Sequence, residues 1–248
     1  MYTNKILIAF VLIVVLTLFY TSCSKDEETI TPPPNQTTNN NDINITFDIG
    51  AGVTFDGYTY SSIVLGNGQE WLAENLRTTI YCNGDPIPNV TDGTQWSNLT
   101  TGAWVFQEND SQYENPYGKL YNWYAVGDSR NVCPCGWHVP SDTELLTLVD
   151  YLGGETVAGG KMKSTNTQYW NSPNTDATNT SGFTGLAAGQ RTSGGTFGNI
   201  GFNLFCWSST ENNTNNAWIR SLSNNNGNAE RLGFFPKENG MSIRCIKD

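Results

Sequence analysis

The sequence predicts an α+β domain: short antiparallel strands and hairpins, many loops, one main helix and one or two short ones. Three observations carry that expectation. Residues 141–154 read as a capped helix with one apolar face. Asp56-Gly57 and Asn67-Gly68 each sit between strand-like runs, the strongest short-range hairpin signal. The final third alternates short apolar runs with Asn- and Gly-rich loops, the pattern of strands joined by turns.

The helix has both its ends written in sequence. Ser141 is an N-cap residue, and Glu144 stands at the capping-box spacing. Asp142 and Glu144 put negative charge where the helix dipole favours it. Leu145, Leu146, Leu148, Val149 and Leu152 recur at helical spacing and make an apolar face. Gly153 is the stop signal, so the helix is predicted over about 142–152. Ahead of it, residues 53–57 and 58–60 read as strands around Asp56-Gly57, and 62–65 with 69–72 as a second hairpin. Residues 76–92 are loop-like, with Pro86 and Pro88. Residues 117–126 (YGKLYNWYAV) are predicted as a short helix with Leu120, Trp123 and Tyr124 inward. Residues 156–163 are predicted as another, interrupted at Gly159-Gly160. Strands are predicted at 183–186, 204–208, 217–222, 231–235 and 241–246.

The chain has 248 residues and three regions. Residues 1–22 read as an export signal, with Lys5 ahead of an apolar run from Ile6 to Tyr20. Fifteen residues is short of the ~20 that a membrane span needs and fits a signal core. The YTSC run at 20–23 resembles a bacterial lipobox, which implies lipidation of Cys23. The following SKDEE resembles the acidic export signal that sends Bacteroidetes lipoproteins to the outer face of the outer membrane. Residues 23–42 are a tether rich in Pro, Thr and Asn with little to pack, and could extend roughly 60 Å. Residues 43–248 form one domain, ample for a core. The net charge of −10 argues against nucleic acid, whose binding depends on cationic neutralisation of phosphate. It equally argues against a polybasic membrane patch, which leaves the lipid anchor as the only membrane contact.

Six cysteines in an exported chain suggest disulfides. With Cys23 taken by lipid, five remain, so at least one thiol is free or pairs between molecules. Cys133 and Cys135 flank a single proline, too close for a comfortable mutual bond. His138 is the only histidine, and no spacing suits zinc; neither a metal nor another cofactor is expected.

Five stretches carry a resemblance: QEWLAENL with RTT (69–79), YGKLYNWY (117–124), CP with GWHVP (133–140), WSS (207–209) and the closing RCIKD (244–248). In this order they resemble the Fibrobacter succinogenes major paralogous domain, a family common in lipoproteins of Fibrobacter and Bacteroidetes. The family is in turn similar to the C-type lectin-like fold, where a long-range disulfide joins the start of a helix to the last strand. The resemblance therefore implies a Cys133–Cys245 pair and leaves Cys82, Cys135 and Cys206 without assigned partners. It implies no reaction. Calcium lectins of that fold use an acid-Pro-Asn or Gln-Pro-Asp triplet and a Trp-Asn-Asp motif. Here Ser172-Pro-Asn174 lacks the acid and WSS replaces the second motif, although Asn174, Asp176 and Asn179 offer oxygens.

The expected function is a non-catalytic binding or adhesion module for glycan or protein at the cell surface. The alternatives are a polysaccharide-active enzyme or a structural envelope protein. An enzyme would need a carboxylate pair across a cleft; Asp110, Glu114, Asp128 and Glu211 are available, but no motif pairs them. His138 reads as packing, since no partner stands beside it. Trp71, Trp123, Trp137 and Trp207 read as core. Trp96, Trp104, Trp170 and Trp218 sit among polar residues, either as exposed stacking platforms or as core and rim. Ligand contact is expected on the late loops: Asn212, Asn213, Asn215, Asn216, Trp218, Arg220, Asn224, Asn226, Asn228 and Arg231. Asn tolerates left-handed backbone and caps its own turns, and it offers both a donor and an acceptor. Trp218 and Arg220 alternate with Ile219, so they should share one strand face.

Overall fold

The computed structural model describes residues 45–248. The export signal, Cys23 and the tether lie outside the described residues. The Asp56-Gly57 hairpin pairs Val53–Phe55 with Tyr58–Tyr60. Both turn residues have positive φ, 49° and 74°, as a type I′ turn requires. Ser62–Leu65 pairs with Glu70–Leu72 inside a five-stranded antiparallel sheet. Its order is Phe47–Ile49, Ser62–Leu65, Glu70–Leu72, Ile246–Lys247, Trp137–His138. A second antiparallel sheet holds Asn203–Glu211, Asn216–Ser223 and Ala229–Pro236, which contain the strands expected at 204–208, 217–222 and 231–235.

The main helix is Asp142–Tyr151. The capping box is formed on both sides: Glu144 N–H donates to Ser141 Oγ, and Ser141 N–H donates to Glu144 Oε2 at 2.7 Å. Leu145, Leu148, Val149 and Leu152 are buried, but Leu146 is 44% exposed. The buried set keeps the i, i+3, i+4, i+7 spacing and Leu146 falls off it. The next helix, Glu155–Met162, runs through Gly159-Gly160 without interruption. The glycines serve close packing. A Cβ on Gly159 would lie 1.9 Å from the Asn228 carbonyl oxygen, and one on Gly160 would lie 2.4 Å from that of Asp176.

Three local expectations are corrected. Residues 117–126 are not one helix: Tyr117 ends the short helix Glu114–Tyr117, Leu120–Tyr121 is a strand paired with Trp104–Val105, and Trp123–Val126 is a separate short helix. Gly118 at φ 75° breaks the path, and Asn122 caps the short helix, accepting from Ala125 N–H. Residues 183–186 form no strand but a single bridge from Gly185 to Lys163, because Thr184 takes φ 52°. Residues 241–246 are not a continuous strand either. Met241 bridges Tyr121, Ser242 bridges Cys206, and only Ile246 enters the five-stranded sheet. This stretch threads between sheets and changes partner at nearly every residue, with Met241 to Ile246 all buried.

Two disulfides staple the domain. Cys133–Cys245 links the loop before the main helix to the threading stretch, with Cα atoms 6.1 Å apart. Cys82–Cys135 ties the 76–92 loop to the same place. Among the described residues Cys206 is the free, buried thiol, and burial pushes it up to about 11. Trp71, Trp96, Trp104, Trp123, Trp137, Trp170 and Trp207 are all buried, so three of the four tryptophans among polar neighbours are core.

Candidate functional site

A half-open cavity of about 400 Å³ lies beside the Asp56-Gly57 hairpin, within the roughly 300–1,000 Å³ typical of ligand pockets. Three segments build it. The hairpin supplies Asp56, Tyr58 and Tyr60; the following loop supplies Arg77 and Thr79; residues 111–119 supply Ser111, Glu114, Asn115 and Lys119. Asp56 fastens the first two together. Its Oδ2 accepts from Thr79 N–H at 2.6 Å, Thr79 Oγ1 at 2.9 Å and Thr78 Oγ1 at 3.2 Å. Tyr60 Oη accepts from Arg77 N–H at 2.9 Å. Lys119 is buried, and its ammonium donates to the Glu114 carboxylate and to the Arg77 carbonyl. It also stands 4.9 Å from the centre of the Trp104 ring, a cation–π position. The Arg77 guanidinium lies 4.4 Å over the Tyr58 ring. Burial holds the Tyr58 phenol up at about 12, so it stays a neutral donor.

The late-loop residues do not form one surface. Arg220 is only 2% exposed. Its cross-strand partner is Arg231, whose guanidinium covers Trp218, so the strand face expected for Trp218 and Arg220 is shared, but Arg220 lies buried on it. The Arg220 guanidinium donates to the Ala229 carbonyl, and burial lowers its pKa while Asp142 and Glu155 oppose the fall. Asn224 is buried too, donating to the Asn171 and Ser172 carbonyls at 3.2 Å each. Both are therefore removed from surface contact. Asn226 and Asn228 are half-buried, and Asn226 accepts from Asn228 N–H within its turn. Asn212, Asn213, Asn215 and Arg231 are exposed, while Asn216 and Trp218 are half-buried. The Arg231 guanidinium covers the Trp218 ring at 3.3 Å and pairs with Asp142 at 2.8 Å. The six-membered part of the ring packs against Gly233, where a Cβ would lie 2.5 Å away. Asn174 likewise holds loop structure, donating to the Ser164 and Asn166 carbonyls.

The structure gives His138 partners that the linear order hides. Nδ1 lies 2.6 Å from Asp248 Oδ1, and Nε2 lies 2.9 Å from Glu144 Oε1. Two carboxylates flanking one ring favour the doubly protonated imidazolium. Burial opposes the charge, but the bonds to Asp248 and Glu144 outweigh it and raise the pKa above the ordinary histidine value. The sign follows by linkage: the contribution is complete below the unfolded value of about 6.5 and fades as pH rises through the folded pKa. His138→Asn should therefore cost more melting temperature at about pH 5.5 than at about pH 8.5. A cost that is equal at both, or larger at the higher pH, contradicts the clamp.

The carboxylates an enzyme might use are engaged elsewhere. Asp110 accepts from Gln112 N–H, Glu114 pairs with Lys119, and Glu211 pairs with Lys237. Asp128 is pulled down to about 2 by its hydrogen bond to Arg130. The fold and site together define a disulfide-stapled α+β domain with a polar, aromatic-walled cavity. The model of the Fibrobacter succinogenes major domain family matches residues 64–247, and the chain belongs to that family. No curated protein and no solved structure matches it.

Of the cavity residues the sequence singles out only Glu114, as an available carboxylate, although Arg77 and Lys119 lie inside the family stretches at 69–79 and 117–124. The usable signal was the Asp-Gly hairpin next to a run carrying Arg, since a tight turn brings Asp56 back against residues 78 and 79.

Proposed function

We propose that this protein is a lipid-anchored lipoprotein of the outer membrane, facing the cell exterior, and a non-catalytic binding module for glycan or protein. The observation that carries this reading is the cavity wall. Its groups are fixed by other protein groups: Asp56 by Thr78 and Thr79, Glu114 by Lys119, and Arg77 by stacking on Tyr58. Preset dipoles of this kind recognise a polar ligand at low ordering cost, whereas a general acid or base must exchange its proton freely. The cavity is the primary contact, and the exposed Asn212, Asn213, Asn215 and Arg231 are a second. The long-range Cys133–Cys245 bridge supports the finer reading of the fold as C-type lectin-like. Lipidation of Cys23 and outward display rest on the lipobox-like and acidic residues.

A glycan and protein array probed with the full-length chain, beside a hydrolase assay on any glycan bound, tests the function. Binding without turnover is expected; hydrolysis at the bound glycan would replace the module with an enzyme. Protease added to intact cells should shave the domain, and Cys23→Ala should release it from membranes.

A further inference from the structure

Arg77 differs from every other arginine among the described residues. Arg130 and Arg231 pair with aspartates. Arg191, Arg220 and Arg244 donate to backbone carbonyls. Among the described residues the Arg77 guanidinium has no hydrogen-bond or ion-pair partner, and its Nε is buried without one. It is nevertheless held in the cavity wall, with its face against Tyr58 at 4.4 Å. An oriented, unpaired guanidinium is a fork for two acceptor oxygens in one plane, as a carboxylate presents.

The other wall groups narrow the ligand. Lys119 and Glu114 neutralise each other. Asp56 takes all three of its bonds on Oδ2, which leaves Oδ1 to accept from a ligand. Thr79, Ser111 and Asn115 add hydroxyl and amide dipoles. The wall thus offers one cation for a carboxylate and, beside it, a carboxylate oxygen, hydroxyls and an amide for a ligand's hydroxyl groups. A free amino acid would satisfy the carboxylate but would leave the hydroxyl-lined part unused. Resting on the reading of the cavity as a binding site, we propose that it takes an acidic sugar, a hexuronate unit of a polysaccharide. Arg77 holds the uronate carboxylate, and Asp56 accepts from ring hydroxyls.

Calorimetric titration of the full-length chain tests this with glucuronate, galacturonate, uncharged methyl glucoside and glycine. At least one uronate should bind about tenfold or more tighter than methyl glucoside and glycine, a difference of about 1.4 kcal/mol. Arg77→Gln should erase that preference with the melting temperature unchanged, and Arg77→Lys should restore part of it. Equal binding of uronate and methyl glucoside, equal binding of glycine, or no uronate binding overturns the acidic-sugar assignment. Tyr58→Ala separates the two levels of the claim. If it abolishes capture of an array ligand that is not a uronate, the cavity remains the site and only the ligand class is wrong. If array binding survives it, the cavity reading falls as well.

Discussion

Removing the Cys133–Cys245 bridge with the double change Cys133→Ala and Cys245→Ala is expected to cost about 4–5 kcal/mol of unfolding free energy. The partners are 112 residues apart, and in the chain-entropy account a loop of that size, once closed, takes about this much from the unfolded ensemble. Both cysteines are fully buried, so the alanines also leave a small cavity. For a domain of this size the melting temperature should fall by roughly 10–20 °C. The bridge matters beyond its own sulfurs. Cys245 sits in the threading stretch, whose Ile243 and Cys245 carbonyls accept from Leu76 and Leu72 N–H, and whose Ser242 bonds the strand Asn203–Glu211 at Phe205 and Trp207. Denaturant unfolding of the oxidised proteins measures the difference. A loss below about 1 kcal/mol would mean that packing alone holds this stretch in place.

Arg244→Met should be nearly as costly, about 3–5 kcal/mol. Arg244 is buried one residue before Cys245. Its Nη1 donates to the carbonyls of Leu72 and Phe183, and its Nη2 to Asn75 Oδ1 at 2.9 Å. The guanidinium also stacks on Phe183 at 4.2 Å. Burial lowers its pKa to about 10, so the charge is held at a cost. Methionine removes that cost and keeps the apolar stem, but it orphans three buried acceptors at about 1–3 kcal/mol each. The orphaned acceptors win. Arg244→Lys should recover only part, since a single ammonium cannot span the fork. Equilibrium unfolding checks both variants, and a change within about 0.5 kcal/mol for Arg244→Met would refute the assignment.

The readable parts of the fold were those set by local chemistry. The capping box, the Asp56-Gly57 turn and the period of Leu145, Leu148, Val149 and Leu152 depend only on near neighbours, and they form where their residues stand. Apart from the local breaks at Gly118 and Thr184, what failed depended on distant partners. Gly159-Gly160 looks like a break until the Asn228 and Asp176 carbonyls are seen against it. Residues 241–246 have a strand's composition, yet their hydrogen bonds go to separate sheets. At the site the same division holds. Asn-rich stretches did make turns, but Arg220 and Asn224 went inward because carbonyls of other segments receive their protons. The cavity joins residues 56–60, 77–79 and 111–119, and no spacing in the chain announces that meeting.

Array capture by the wild type, by Tyr58→Ala with Arg77→Gln, and by Trp218→Ala is the most direct test of where this protein binds. Loss of capture in the cavity variant, with the Trp218 variant close to wild type and all three equally folded, is the result predicted. Full capture by the cavity variant, with loss in Trp218→Ala, would contradict it and put the site on the sheet of Asn203–Glu211, Asn216–Ser223 and Ala229–Pro236.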